Sequence, residues 1–249
     1  MAILLILYGV VLGSFFNVVG LRVPIKQSIV TPRSSCPICK HQLKAYELLP
    51  VLSYLIQKGK CRGCQSRISP IYPAIELLTG ILFMTAPYAV GWSGELVIAL
   101  TLISMFMVIV VSDIHYMIIP DKILIWFAGI FLLERILIPL TPWWDGLLGA
   151  AAGFLLLLLI AVVSKGGMGF GDVKLYALLG FVIGLKLVLL SFFLSTLFGA
   201  VIGGSALLFR IIKRRQPIPF GPFIAAGTLT AYYWGNDLIR VYLQLLNYS

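Results

Sequence analysis

Hydrophobic positions run together in long blocks along this chain. Uncharged or nearly uncharged stretches occupy residues 1–21, 77–94, 96–112, 123–133 (continuing past Glu134 and Arg135 to 140), 146–164, 175–185, 187–209 and 218–236. A helix needs roughly 20 such residues to cross a bilayer, so most of these blocks suffice alone. The 175–185 block is short and borrows Val173, Lys174 and Lys186 as snorkelling ends. The pattern predicts an all-α polytopic membrane protein of about eight transmembrane helices. The first block has no basic segment before it and no small-residue cleavage site, so it reads as a retained helix, residues 1–21, rather than a removable signal.

Composition agrees. Sixty per cent hydrophobic residues, 11% charged and a mean hydropathy of +1.03 exclude a soluble domain of 249 residues. The charge of +10 is unevenly spread. Of 19 Lys and Arg, nine lie between Arg22 and Arg67 and four between Arg210 and Arg215. The positive-inside rule puts both stretches in the cytoplasm and, with eight spans, the amino terminus outside. The 113–121 turn and the 165–172 loop then share the cytoplasmic face. Glu95, Asp145 and Asp237 fall outside. This distribution fits membrane orientation and anionic lipid better than nucleic acid.

Residues 22–76 break the pattern: they hold no long apolar block but contain all four cysteines. Cys36-Pro37-Ile38-Cys39 and Cys61-Arg62-Gly63-Cys64 are separated by 21 residues, close to the usual spacing of a four-thiolate zinc site. A segment this small has little core of its own, and a structural metal would supply what packing cannot. Two disulfides are the alternative, disfavoured on the cytoplasmic side. Four cysteines leave no open position, so the zinc reads as structural rather than catalytic. His41 is a spare ligand.

Two carboxylates carry the remaining signal. Asp113 ends an uncharged run and Asp172 closes Gly169-Phe170-Gly171-Asp172. Ionisable groups at membrane helices are costly and mark function by default, and a facing pair suggests the activated water of an aspartyl protease. Helix capping is the plainer reading for Asp172, and capping or a supporting role is preferred for Asp121 after Pro120. The glycine-rich 166–171 segment has no Gly-Lys-Ser/Thr after it and is no phosphate loop. Gly9 and Gly13 form a small-xxx-small pair for close helix packing. A proton-coupled transporter also uses membrane carboxylates, but gives no reason for the cysteine loop.

In combination these residues resemble a known family. Gly13-Ser14-Phe15-Phe16-Asn17 with Arg22 comes first, then the cysteine loop and Tyr72-Pro73-Ala74-Ile75-Glu76. Asp113, Ile119-Pro120-Asp121 and Gly169-Phe170-Gly171-Asp172-Val173-Lys174 follow. The chain is similar over nearly its whole length to bacterial type IV prepilin peptidases, bifunctional aspartyl proteases with a Gly-x-Gly-Asp motif. The resemblance implies cleavage of prepilin and pseudopilin leaders after a glycine, at the cytoplasmic face of the bacterial inner membrane. It also implies N-methylation of the new terminus from S-adenosylmethionine. By the same resemblance Asp113 and Asp172 are catalytic, and 77–249 is the peptidase bundle following a loop domain, 22–76, linked to methyl transfer. Gly169 and Gly171 would let an extended substrate approach the backbone, and Lys174 would tune the charge of the pair or anchor the interface. No Rossmann turn is present for the methyl donor. Asn17, Arg22, Glu47 and Glu76, with Tyr46, Tyr54 and Tyr72 as aromatic faces, are the polar and aromatic candidates for its pocket.

Overall fold

The computed structural model describes residues 2–164, 168–209 and 218–247. Gly166, Gly167 and the basic 210–215 stretch lie outside them. Among the described residues there is no strand, and the order is α1 (Ala2–Arg22), a 3-10 turn (Ala45–Leu48), α2 (Leu52–Ile56), α3 (Ile71–Val90), α4 (Gly94–Tyr116), α5 (Asp121–Leu137), α6 (Asp145–Val163), α7 (Phe170–Ile183), α8 (Leu185–Leu208) and α9 (Gly221–Asn247).

Each of the eight apolar blocks coincides with one long helix, α1 or α3–α9, while α2 lies in the cysteine segment. Five of them, α1, α3, α4, α6 and α8, are long and apolar enough to cross a membrane. The other three are not. The 14 residues of α7 give about 21 Å of helix, short of the ~30 Å hydrocarbon core. Boundaries also move. Glu76 stands inside α3, which begins at Ile71, rather than closing the loop segment, and α4 runs past Asp113 to Tyr116.

Helix α4 is the axis of the bundle: 72% of its apolar window is buried, against 22–39% for the other four spanning candidates. It packs against α1, α3, α5 and α9. Glycines set the closest approaches. A Cβ on Gly9 would stand 2.9 Å from the Gly80 Cα, and one on Gly13 would stand 2.8 Å from the Glu76 Cα, so both glycines of the α1 pair face α3. Any side chain there would push the two helices apart.

The cysteine segment is two copies of one turn. Cys36 N–H donates to the His41 carbonyl and Lys40 N–H to the Cys36 carbonyl; Cys61 N–H donates to Ser66 and Gln65 N–H to Cys61. Lys40 and Gln65 take positive φ, 57° and 60°, at equivalent positions. The segment is fastened to the bundle by Glu76 of α3, whose Oε2 accepts the Val51 N–H at 2.8 Å.

Candidate active site and metal centre

Asp113 lies in the last turn of α4, buried at 7% exposure. Its own carbonyl accepts the N–H of Met117, which caps α4 in a left-handed conformation, φ 53° and ψ 40°. That conformation is unusual for a residue with a side chain and turns the chain sharply toward Pro120 and α5. Ser112 Oγ holds the turn from inside by donating to the Ile118 carbonyl at 2.5 Å. The Asp113 carboxylate accepts the Gly221 N–H at 2.6 Å from the first residue of α9.

Asp172 lies in the first turn of α7. It is not the N-cap, a position taken by Gly169, whose carbonyl accepts the Asp172 N–H at 3.1 Å. Asp113 and Asp172 are near enough for direct Coulombic interaction between their carboxylates. Packing brings them together: a Cβ on Gly171 would stand 2.9 Å from the Ile119 Cβ. The 113–121 turn therefore sits directly on the glycine motif. The neighbour that Gly171 admits is this protein's own Ile119. Gly169 is looser, its Cβ position lying 3.4 Å from Asp172 Oδ2.

Asp121 does not cap α5. Pro120 is the N-cap and no side chain bonds there; both Asp121 oxygens instead take Lys174 Nζ at 2.8 Å, joining α5 to α7. Lys174 thus has its charge matched away from the pair, with Nζ 5.6 Å from the Phe170 ring centroid. Asn17 Nδ2 donates to the Tyr72 carbonyl at 3.1 Å, while its Oδ1 is buried without a partner among the described residues. Arg22 Nη1 donates to the Ser28 carbonyl at 3.0 Å and closes the turn after α1. Tyr116 OH reaches the Leu21 carbonyl at 3.0 Å. Tyr46 lies under the Arg62 guanidinium at 4.9 Å and Tyr54 packs over Gly59. The ends of α1 and α4 and the starts of α5, α7 and α9 therefore gather on one face around Asp113 and Asp172.

The four cysteine sulfurs lie within 4.8 Å of one another. Cys36 and Cys64 are 3.8 Å apart, and Cys39 and Cys61 3.9 Å, far beyond the ~2.05 Å of a disulfide. A tetrahedron with arms of about 2.3 Å has edges near 3.8 Å, the geometry of a thiolate-bound metal. The thiols are electrostatically frustrated alone. Backbone N–H groups of Cys39 and Ile38 bring Cys36 down to about 6. At Cys39 the His41 N–H favours the thiolate, but desolvation and the adjoining sulfurs win and push it up to about 11. A dication removes that conflict. His41 is not a ligand; its Nε2 meets Glu47 Oε2 at 3.3 Å, and the Lys44 N–H, then His41, hold that carboxyl below its usual range.

Comparison with known proteins decides what this arrangement belongs to. The sequence model of the Type IV leader peptidase family matches residues 100–204, and that of the Bacterial Peptidase A24 N-terminal domain matches residues 7–90. A prepilin leader peptidase/N-methyltransferase of Bacillus subtilis strain 168 is 48% identical over 97% of this chain and 98% of its own. The chain belongs to the type IV leader peptidase family. Proteins of the same description from Aeromonas salmonicida and Pseudomonas aeruginosa are 34% and 32% identical, each over 98% of this chain and 94% of theirs. No solved structure matches. In this leader peptidase fold, both Gly-x-Gly-Asp and the cysteine pairs emerge from the sequence alone. The part played by Gly221 does not, although the breakers in Pro219-Phe220-Gly221-Pro222 mark a helix start there.

Proposed function

We propose that the protein removes the leader of type IV prepilins or pseudopilins after a glycine at the cytoplasmic face, and then N-methylates the exposed residue from S-adenosylmethionine. Family membership supports both activities. The observation that carries the peptidase half is the meeting of Asp113 and Asp172 on one face of the bundle. Acting together, the carboxylate of one takes a proton from water as the other, protonated, donates to the scissile carbonyl. As the C–N bond then breaks, the first passes its gained proton to the leaving amine and the second takes one back from the gem-diol. The Gly221 N–H fixes Asp113 for this role, and the Ile119–Gly171 packing fixes the distance between the two elements.

The metal of the four cysteines is zinc, bound structurally by Cys36, Cys39, Cys61 and Cys64, on the strength of sulfur geometry and donor set. It shapes the cysteine segment that Glu76 ties to α3. Methyl transfer belongs at this junction, where the Asn17 Oδ1 is the unpaired acceptor and where the new amino terminus emerges close to the aspartates. There S-adenosylmethionine supplies the methyl group, and the chain contributes a desolvated surface that keeps the amine unprotonated.

All eight long helices cross the inner membrane, including the three that fall short in length or hydropathy. Of these, α7 is short but largely buried among its neighbours, while α5 turns Trp126, Leu133 and Leu137 outward toward lipid. The amino terminus is outside, and 22–70 and the aspartates are cytoplasmic, on the positive-inside rule. A cysteine at Ser93 is then labelled from outside and one at Met117 only from inside. The activity test is incubation of purified enzyme with a prepilin peptide and methyl-labelled donor, read by mass spectrometry of the new terminus. Cleavage without mass gain would leave a peptidase alone; neither change would sink the reading.

A further inference from the structure

An open apolar groove of about 630 Å³ runs between α3 and α9, with α4 as its floor. Its α9 wall extends from Pro222 to Trp234, about 18 Å along the helix axis, more than half of a hydrocarbon core. None of its 14 lining residues is charged. One end is fixed by the site already described. Pro222 directly follows Gly221, whose N–H holds Asp113, and the floor residue Val110 lies one turn before Asp113 on α4.

The walls are built to receive a helix. On α9, Pro222, Ala226, Thr230 and Trp234 follow one another at four-residue intervals, as do Ala225, Leu229 and Tyr233. Rows at that spacing are the ridges and grooves into which another helix packs. Ala89, Ala225 and Ala226 bring small side chains to both walls, the composition of helix contacts within lipid. The two threonines add no exposed polarity: Thr230 Oγ1 donates to the Ala226 carbonyl at 2.8 Å and Thr85 Oγ1 to Ile81 at 2.9 Å. At the far end, Tyr233 OH is buried with no hydrogen-bond partner among the described residues.

We infer that this groove seats the apolar membrane helix of the substrate, delivering the helix amino terminus to Asp113 and Asp172. The inference rests on the peptidase reading above. It adds where the substrate binds: α9 and α4 lead it to the aspartates, and α3 leads the same end toward Glu76 and the cysteine segment. One binding event then serves both activities. A groove beside Asp121 and Lys174, between α5 and α7, is smaller, at about 320 Å³.

The test uses the full chain in phosphatidylethanolamine–phosphatidylglycerol vesicles with a prepilin that keeps its helix. A photo-crosslinking residue at Leu82 or Tyr88, in an Asp172→Asn background, should capture prepilin at least about fivefold more than one at Ile125 in the α5–α7 groove. Ala226→Trp, filling the α3–α9 groove, should raise KM for prepilin about tenfold, and leave within about twofold the cleavage of a short peptide that carries the leader and only the first few residues after its glycine, too short to lie along the groove. Wild-type enzyme that fails to cut prepilin overturns the peptidase reading itself. With wild-type cleavage intact, adducts only to lipid, to a second copy of the chain or from Ile125 overturn the groove. Equal loss of both substrates in Ala226→Trp does the same. If that variant does not fold, the crosslinks decide alone.

Discussion

The backbone N–H of Gly221 donates a 2.6 Å hydrogen bond to Asp113 Oδ2, joining residues 108 positions apart. The last helix therefore begins at one of the two carboxylates proposed to carry the chemistry. A Cβ at 221 would stand 2.9 Å from Oδ2 and 3.1 Å from the Asp113 Cβ. Gly221→Ala should displace Asp113 by a few tenths of an ångström, and Gly221→Val by more. Displacements approaching an ångström cost about 100-fold in rate, so kcat should fall stepwise from Gly to Ala to Val while KM for prepilin holds. A Gly221→Val enzyme with normal kcat would show that the contact does not position Asp113.

Asp113→Asn and Asp172→Asn should each lower cleavage by at least about 10²–10⁴-fold, since an amide cannot replace a carboxyl in proton transfer. Both variants should still fold and insert. Asp121→Asn should be mild. Its partner Lys174 and Asp121 itself are both well exposed, at 42% and 58%, and such ion pairs contribute at most about 1 kcal/mol. Initial cleavage rates of the three variants, normalised to the amount of folded protein, are the measurement. Near-normal rates for either of the first two would remove the aspartyl-protease mechanism.

At the opposite end of the bundle Arg135, its side chain 5% exposed, gives Nη1 to Glu95 Oε1 at 2.6 Å and Nε to the Val182 carbonyl at 2.8 Å. Tyr232 OH adds a 2.5 Å bond to Glu95 Oε2. One guanidinium thus ties α5 to the start of α4 and the end of α7, and Glu95 brings in α9. Arg135→Ala leaves the Val182 carbonyl and Glu95 without this partner, and because the Glu95 side chain is 37% exposed and can be partly solvated, the cost is about 1–2 kcal/mol rather than that of a fully buried pair. The unfolding midpoint in detergent should drop by several degrees, while the folded fraction keeps its cleavage rate. An unshifted midpoint would mean that water enters and solvates Glu95.

How far the sequence revealed this follows from which contacts are local. The eight apolar blocks and the two Cys-x-x-Cys turns repeat within short windows, and each was legible residue by residue. Asp121 illustrates the limit. Its position after Pro120 looks like a cap, but its partner Lys174 lies 53 residues on, a pairing that only the packing of α5 on α7 creates. The role of Gly221 likewise depends on a contact 108 residues away. Arg135 had a local signal, a Glu134–Arg135 charge pair inside an apolar block, and such a pair within a span calls for buried partners. The sequence places the start of this helix at Val173, after a capping Asp172; α7 begins at Phe170 because the motif glycines and Asp172 look like loop until α7 packs them against Ile119.

Removing the metal should separate the two activities. The cysteine turns touch the bundle through Glu76 and Val51, while Asp113 and Asp172 are held by Gly221, Ser112–Ile118 and the Ile119–Gly171 contact within it. Cys36→Ser or Cys64→Ser breaks a four-sulfur set whose geometry matches zinc, and structural zinc commonly supplies much of the folding free energy of so small a segment. The bundle is packed within lipid and does not depend on that term. Each variant should lose its zinc, retain leader cleavage at a rate lowered about two- to tenfold, and lose methylation more completely. Zinc content alongside mass spectrometry of the processed terminus reads all three. Equal loss of cleavage and methylation would mean that the cysteine segment holds the aspartates directly, and full methylation by a metal-free variant would move the methyl-transfer site away from the Asn17–Glu76 junction.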